Sequence, residues 1–277
     1  MLINSLLLFI EETLAIFILY SYISAWHFLD KPEVTLKLLN KQLSNKENPI
    51  TKAYKLGHHA SYTLAIIIGI LFSAVFTQFR PSLGMLFDGV GYEVFLILTT
   101  CVFVASVLLA FGKRRFIRPQ LCFAFSLFLI VIPHASDFIV FLSSVTQSNM
   151  HASVYAGISV GLGICFSISY LLYFLFLNVN KVLPYQLAVS LFLSAQLSNI
   201  VVILQQIDVL SSSLPLWNTN YFVEDKSEFG QFFHVLFGYD ATPTLLYLLA
   251  LTFFTFIILG LLVKSPYGRQ TARGVAQ

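Results

Sequence analysis

The chain contains seven long runs of apolar residues, and these runs constrain its fold more than any other feature. They cover residues 3–28, 58–78, 92–111, 119–145, 151–178, 185–209 and 244–263. About 20 apolar residues suffice to cross the hydrocarbon core of a bilayer as a helix. Backbone polar groups in lipid must be satisfied within the protein, and a helix does this within one segment. The sequence therefore predicts an all-α integral membrane protein with seven transmembrane helices.

The charge content excludes a soluble globular domain. Only 10% of the 277 residues are charged, whereas soluble domains carry about 25%. Because so few charges cannot cover a water-facing surface, most of the surface must face the lipid bilayer. We predict a multi-pass protein of the cell membrane, either a bacterial inner membrane or a plasma membrane, with no nucleic-acid partner.

The basic residues predict the orientation of the helices. They are concentrated in alternate connections, at 30–57, 112–118, 179–184 and 264–277. The other connections hold only Arg80 and Lys226. Since Lys and Arg are retained in cytoplasmic loops, we predict that the N-terminus lies outside and the C-terminus lies inside.

Two apolar runs contain ionisable residues. Glu11 and Glu12 lie in the first predicted helix, and His134 and Asp137 lie in the fourth. Such groups cost about 2.5–3.5 kcal/mol each near the bilayer centre, so they commonly mark function. His134 and Asp137 are three residues apart and share one helix face. Pro133 removes a backbone donor and is expected to kink the fourth helix beside them.

The two polar windows also predict an internal repeat. Aligning them pairs Glu11 with His134 and Leu14 with Asp137, so helices one to three correspond to helices four to six. Three crossings invert the second copy, and inverted repeats bind substrates at midplane where the copies meet. With about 1.5 Å per residue, Glu11 and Asp137 lie roughly 12 Å from the outer ends of their helices. We predict one membrane domain made of repeat one (1–111), repeat two (119–209), an external loop (210–243), helix seven (244–263) and a cytoplasmic tail (264–277).

The chemistry of the polar windows leaves three interpretations open. Carboxylates and an imidazole at one depth suit iron, manganese or zinc ions. They suit a proton relay equally well, and hydrogen bonds that merely join helices are the third interpretation. The predicted metal ligands are Glu11, Glu12, His134 and Asp137.

Several segments near the C-terminus resemble a known family. Residues 214–219 (LPLWNT), 230–239 (GQFFHVLFGY) and 243–246 (PTLL) are similar to the last external loop and last helix of the oxidase-dependent iron permeases of fungi and bacteria. Residues 202–207 (VILQQI) resemble the end of that family's sixth helix. The resemblance implies seven helices, an outside N-terminus, and an Arg-Glu-x-x-Glu motif in helices one and four.

This chain departs from the family pattern within both motifs. Ile10 and Pro133 stand where the family has arginine, and Leu14 stands at the second glutamate of the first motif. In the second motif His134 stands at the first glutamate and Asp137 at the second. A family-like site would consist of Glu11, His134 and Asp137, with Glu12 substituting for the missing carboxylate. Because imidazole is a softer ligand than carboxylate, this set favours ferrous iron or another divalent ion.

The resemblance further implies that polar side chains of the external loop collect metal, although an ordinary solvated loop is the alternative. The candidates are Glu224, Asp225, Glu228, His234 and Asp240. An extracellular or periplasmic oxidase, reductase or metal-binding protein is the implied partner.

The leading hypothesis is a permease whose transported substrate is iron, as Fe³⁺ or Fe²⁺, or a similar transition-metal cation. No permanently bound cofactor is expected. The alternatives are a transport-incompetent scaffold or regulatory membrane subunit, and proton-coupled transport of a non-metal substrate. An enzyme is not predicted, because the chain has no phosphate-binding loop, nucleophile elbow or zinc-protease motif.

Overall fold

The protein is all-helical in the residues that the structure, a computed structural model, describes: 2–29, 49–112, 118–146, 151–179, 182–211, 214–225 and 227–265. These residues form eight α-helices and one 3₁₀ turn, Phe87–Gly89, and no β-strand. The helices are α1 (Leu2–Leu29), α2 (Pro49–Gly84), α3 (Gly91–Phe111), α4 (Pro119–Thr146), α5 (His151–Val179), α6 (Val182–Gln206), α7 (Glu228–Phe237) and α8 (Leu245–Lys264).

Seven of these helices are long and apolar enough to cross a membrane, namely α1–α6 and α8. The prediction of an all-α protein with seven candidate spans is therefore confirmed. The largest differences in bounds are in α2, which begins at Pro49 rather than at residue 58 and continues through Pro81 to Gly84 instead of ending at residue 78. Arg80 consequently lies in a helix rather than in a connection. Most of the basic residues that predict the orientation lie outside the described residues, at 30–48, 113–117 and 266–277.

The segment before α8 contains a short helix, α7, that the sequence analysis did not predict. The Ser227 side chain accepts a hydrogen bond from Gly230 N and caps its start. Gly238, with φ +69°, ends it in the left-handed conformation that favours glycine. The Tyr247 hydroxyl of α8 donates to the Gly238 carbonyl at 2.9 Å. The end of the bundle that carries α7 is called the α7 end below.

Helix α1 is the most buried of the seven spans. It packs along α5 and also contacts α4 and α7, while α2 packs along α4, α3 against α4 and α6, and α6 against α8. Two glycines allow close approach: a Cβ at Gly161 would lie 2.8 Å from Phe9 Cδ1, and one at Gly69 would lie 2.9 Å from Val131 Cγ1. Small residues at such contacts are typical of helices packed in a membrane, where close backbone approach drives association.

Aromatic side chains fill the centre of the bundle away from the α7 end. Tyr22 of α1 makes ring contacts with Tyr185 and Phe192 of α6, and Trp26 with Phe111 and Phe123. All six residues are buried. A cavity of about 10 Å³ remains beside them, enough for one water molecule at most. This group, called the aromatic seal, is Tyr22, Trp26, Phe111, Phe123, Tyr185 and Phe192.

Candidate functional site

The first and fourth helices meet through a hydrogen bond between Glu12 and His134. His134 Nδ1 lies 2.9 Å from Glu12 Oε2, and the side chains are 26% and 15% exposed. An ionised carboxylate can only accept, so with Glu12 ionised Nδ1 is the donor, and in the neutral imidazole Nε2 then carries the lone pair. Glu12 lies about 15 Å along α1 from Leu2, well inside the apolar length of the helix. The two polar windows therefore lie side by side at one level of the bundle, as the sequence predicts.

Asp137, one turn further along α4, is paired with Arg80 of α2. The Arg80 guanidinium donates to Asp137 Oδ1. The Tyr92 hydroxyl, at the start of α3, lies 3.2 Å from Oδ1 and 3.4 Å from Oδ2 of the same carboxylate. Arg80 Cζ also lies 4.0 Å from the centroid of the Tyr92 ring, a cation–π contact. Three helices are thereby joined around one carboxylate.

Glu11 completes this group of side chains. Its side chain is exposed, and the charged groups close enough to interact with it are Glu12, His134, Asp137 and, from α7, His234. The polar cluster, as it is called below, consists of Glu11, Glu12, Arg80, Tyr92, His134 and Asp137.

The polar cluster has the donors of a cation site without being a closed metal site. Among the described residues, no three His, Cys, Asp or Glu side chains lie close enough together to hold a metal ion. Asp137 is engaged by Arg80, and the His134–Glu12 pair leaves His134 Nε2 as the imidazole nitrogen that can bind a cation. A ligating histidine commonly donates its other N–H to a carboxylate in this way.

The five candidate residues of the loop that was predicted to be external have separate contacts in the structure. Asp225 Oδ1 accepts from Ala241 N at 2.8 Å, and Asp240 Oδ1 accepts from Thr242 N at 2.9 Å. His234 Nδ1 donates to the Tyr239 carbonyl at 2.8 Å, which leaves Nε2 as the nitrogen with a lone pair. Glu224 and Glu228 are exposed. Asp225 and Asp240 thus have backbone partners, and of the five residues His234 is the one close enough to interact with Glu11.

Three residues near the site were missed from the sequence. Arg80 was assigned to the connection at 79–91, whereas α2 continues to Gly84; its neighbours Gln78, Pro81 and Ser82 gave no signal that the helix continues. Tyr92 has no distinguishing sequence signal. Glu93, in the first turn of α3, has a buried Oε2 atom with no hydrogen-bond partner in the part of the chain that the structure describes.

Comparisons of the chain with models of known protein families, with curated proteins and with solved structures found no match. The resemblance to the iron permeases consequently stays a prediction, and the function is argued from the polar cluster.

Proposed function

We propose that the protein is a membrane permease that carries iron, or a similar transition-metal cation, through a site between α1 and α4. The observation that supports this most is the Glu12–His134 hydrogen bond, which joins two ionisable side chains of different helices within the apolar part of the bundle. Ionisable groups at such depth are costly and mark ion pathways in membrane proteins. The fold positions them where α1, the most buried span, meets α4.

The donor atoms suit the proposed substrate. Glu11 and Glu12 supply carboxylate oxygens and His134 supplies Nε2, a combination that favours borderline transition metals over alkali ions. In this proposal a cation reaches the exposed Glu11 from the α7 end. The cation then binds the Glu12 carboxylate and the His134 imidazole, which are already oriented by the hydrogen bond between them. In the same proposal His234, which lies near Glu11, is among the first side chains that the cation contacts.

The proposal includes two inverted three-helix repeats. The alignment that pairs Glu11 with His134 also pairs Thr13 with Ser136. Thr13 Oγ1 lies 3.4 Å from Cys165 Sγ of α5, and Ser136 Oγ lies 3.1 Å from Thr77 Oγ1 of α2. Helix α1 packs along α5 as α4 packs along α2. These matching contacts support a repeat relating α1–α3 to α4–α6. The proposal also places the N-terminus outside, as the distribution of basic residues predicts, so that the cluster opens outward.

Uptake of radioactive iron or manganese into proteoliposomes tests the proposal. We expect Glu11→Gln and His134→Gln each to lower uptake at least tenfold, because each removes a donor atom from the substrate. Asp208→Asn is the matched control: Asp208 is an exposed carboxylate with φ +57°, a conformation that asparagine tolerates well, and it lies outside the cluster. Uptake by both cluster variants at the rate of the control would contradict the proposal.

A scaffold or regulatory membrane subunit is the second candidate, and one observation favours it. Arg80 is already paired with Asp137, and Glu12 is already paired with His134. Contacts whose role is to join helices would have this form. This candidate predicts a stable co-purifying partner and no metal in elemental analysis of the isolated protein. Stoichiometric metal in that analysis would instead favour the permease.

A further inference from the structure

The polar cluster contains a fixed positive charge that the sequence motifs do not supply. Arg80 comes from α2, pairs with Asp137 and lies against the Tyr92 ring. We propose that Arg80 determines the charge selectivity of the site, so that it accepts divalent transition-metal cations and rejects trivalent ones. This inference rests on the proposed function, because it names the substrate class of the same site.

The net charge of the polar cluster determines which cation charge the site can balance. An imidazole must be neutral to bind a metal ion, so the charges that matter are three carboxylates, Glu11, Glu12 and Asp137, and one guanidinium. Together they leave two negative charges, which a divalent cation balances. A trivalent cation would remain undercompensated, and an unbalanced charge is costly where the surrounding groups are partly removed from water.

The groups counted are those that interact with one another in the structure. The charged groups that act on Glu11, on His134 and on Tyr92 are members of the polar cluster, together with His234 beside Glu11. The nearest cationic side chain to Asp137 is Arg80, whose guanidinium cannot lose its proton in a protein. The positive charge is therefore permanent.

The contacts of Arg80 also keep its charge at the site when a substrate arrives. Its side chain is 29% exposed and that of Asp137 is 34% exposed, so both are partly removed from water. The Tyr92 ring holds the guanidinium from one side while the Tyr92 hydroxyl contacts the Asp137 carboxylate. A swing of Arg80 to bulk solvent would break both its ion pair with Asp137 and its contact with the Tyr92 ring.

The test measures competition between Co²⁺ and citrate-buffered Ga³⁺ for the purified full-length protein in nanodiscs. Neither ion changes oxidation state in this assay, so the ratio of their apparent affinities reports charge selectivity directly. We expect wild type to prefer Co²⁺. Arg80→Gln leaves three negative charges and should raise the Ga³⁺/Co²⁺ affinity ratio at least tenfold. Asp137→Asn leaves one and should lower that ratio at least tenfold.

A double variant separates charge from position. Arg80→Gln with Asp137→Asn restores two negative charges and should return the ratio to within about threefold of wild type, as should Arg80→Lys. Co²⁺ binding with the same ratio in all variants would overturn the charge proposal and leave the permease proposal intact. A double variant that behaves like Arg80→Gln alone would also overturn it. If neither ion binds wild type or any variant, the permease proposal itself fails, and the charge proposal fails with it.

Discussion

Glu12 and His134 are 122 positions apart in the sequence, yet Glu12 Oε2 lies 2.9 Å from His134 Nδ1. The pair joins α1 to α4 at the level where the proposed substrate binds. Because an interaction between ionisable groups depends on both partners, it can be measured as a coupling between substitutions.

The first prediction concerns that coupling. Glu12→Gln and His134→Gln should each destabilise the protein, and the double variant should lose about 1 kcal/mol less than the sum of the two. Reversible unfolding in mixed micelles with increasing SDS measures all three. Glu12→Gln combined with Asp208→Asn, an exposed residue outside the polar cluster, is the control and should be additive. Additivity in the Glu12–His134 cycle would mean that the two side chains do not interact.

The second prediction concerns the packing of α1 on α5. Gly161→Val should destabilise the fold by about 1–3 kcal/mol, because its Cβ would lie 2.8 Å from Phe9 Cδ1 and overpacking has costs of this size. Gly163→Val is a matched control in the same helix, since no atom lies within 4 Å of a Cβ there. Thermal unfolding in detergent compares the two. Equal melting temperatures would contradict the described packing of α5.

The third prediction tests the proposed orientation. In a cysteine-free background, Tyr221→Cys should react with a membrane-impermeant maleimide added to intact cells, because Tyr221 is 94% exposed in the segment that we propose faces outward. Ala272→Cys, in the C-terminal tail, should react only after the membrane is permeabilised. The reverse pattern would invert the topology and would open the polar cluster toward the cytoplasm.

The architecture was largely predictable because it follows from apolar length. A membrane-spanning helix needs about 20 apolar residues, and such a run can be recognised from one continuous segment of the sequence. The end of α2 was wrong by several residues because Pro81 resembles a stop signal, whereas the helix continues over its last turn. Helix α7 carried recognisable signals in Ser227 and Gly238, which were overlooked within a segment interpreted as a loop.

The site was predictable only in part, for a physical reason. Glu11, Glu12, His134 and Asp137 attract attention because ionisable residues are rare in apolar helices. Their partners are set by helix packing, which no local pattern encodes. The Arg80–Asp137 pair joins residues 57 positions apart, and the Tyr92 hydroxyl could not be assigned to Asp137 without the arrangement of α2, α3 and α4.

The aromatic seal has a consequence for the cell that makes this protein. Tyr22, Phe111, Phe123, Tyr185 and Phe192 interlock around a space no larger than one water molecule. Within the part of the chain that the structure describes, no column of solvent fits between these rings, so an ion could not pass between them while the helices stand in this arrangement. If the proposed permease carries its substrate between these rings, they must separate first, and its throughput would follow the pace of helix movement, far below that of an open channel.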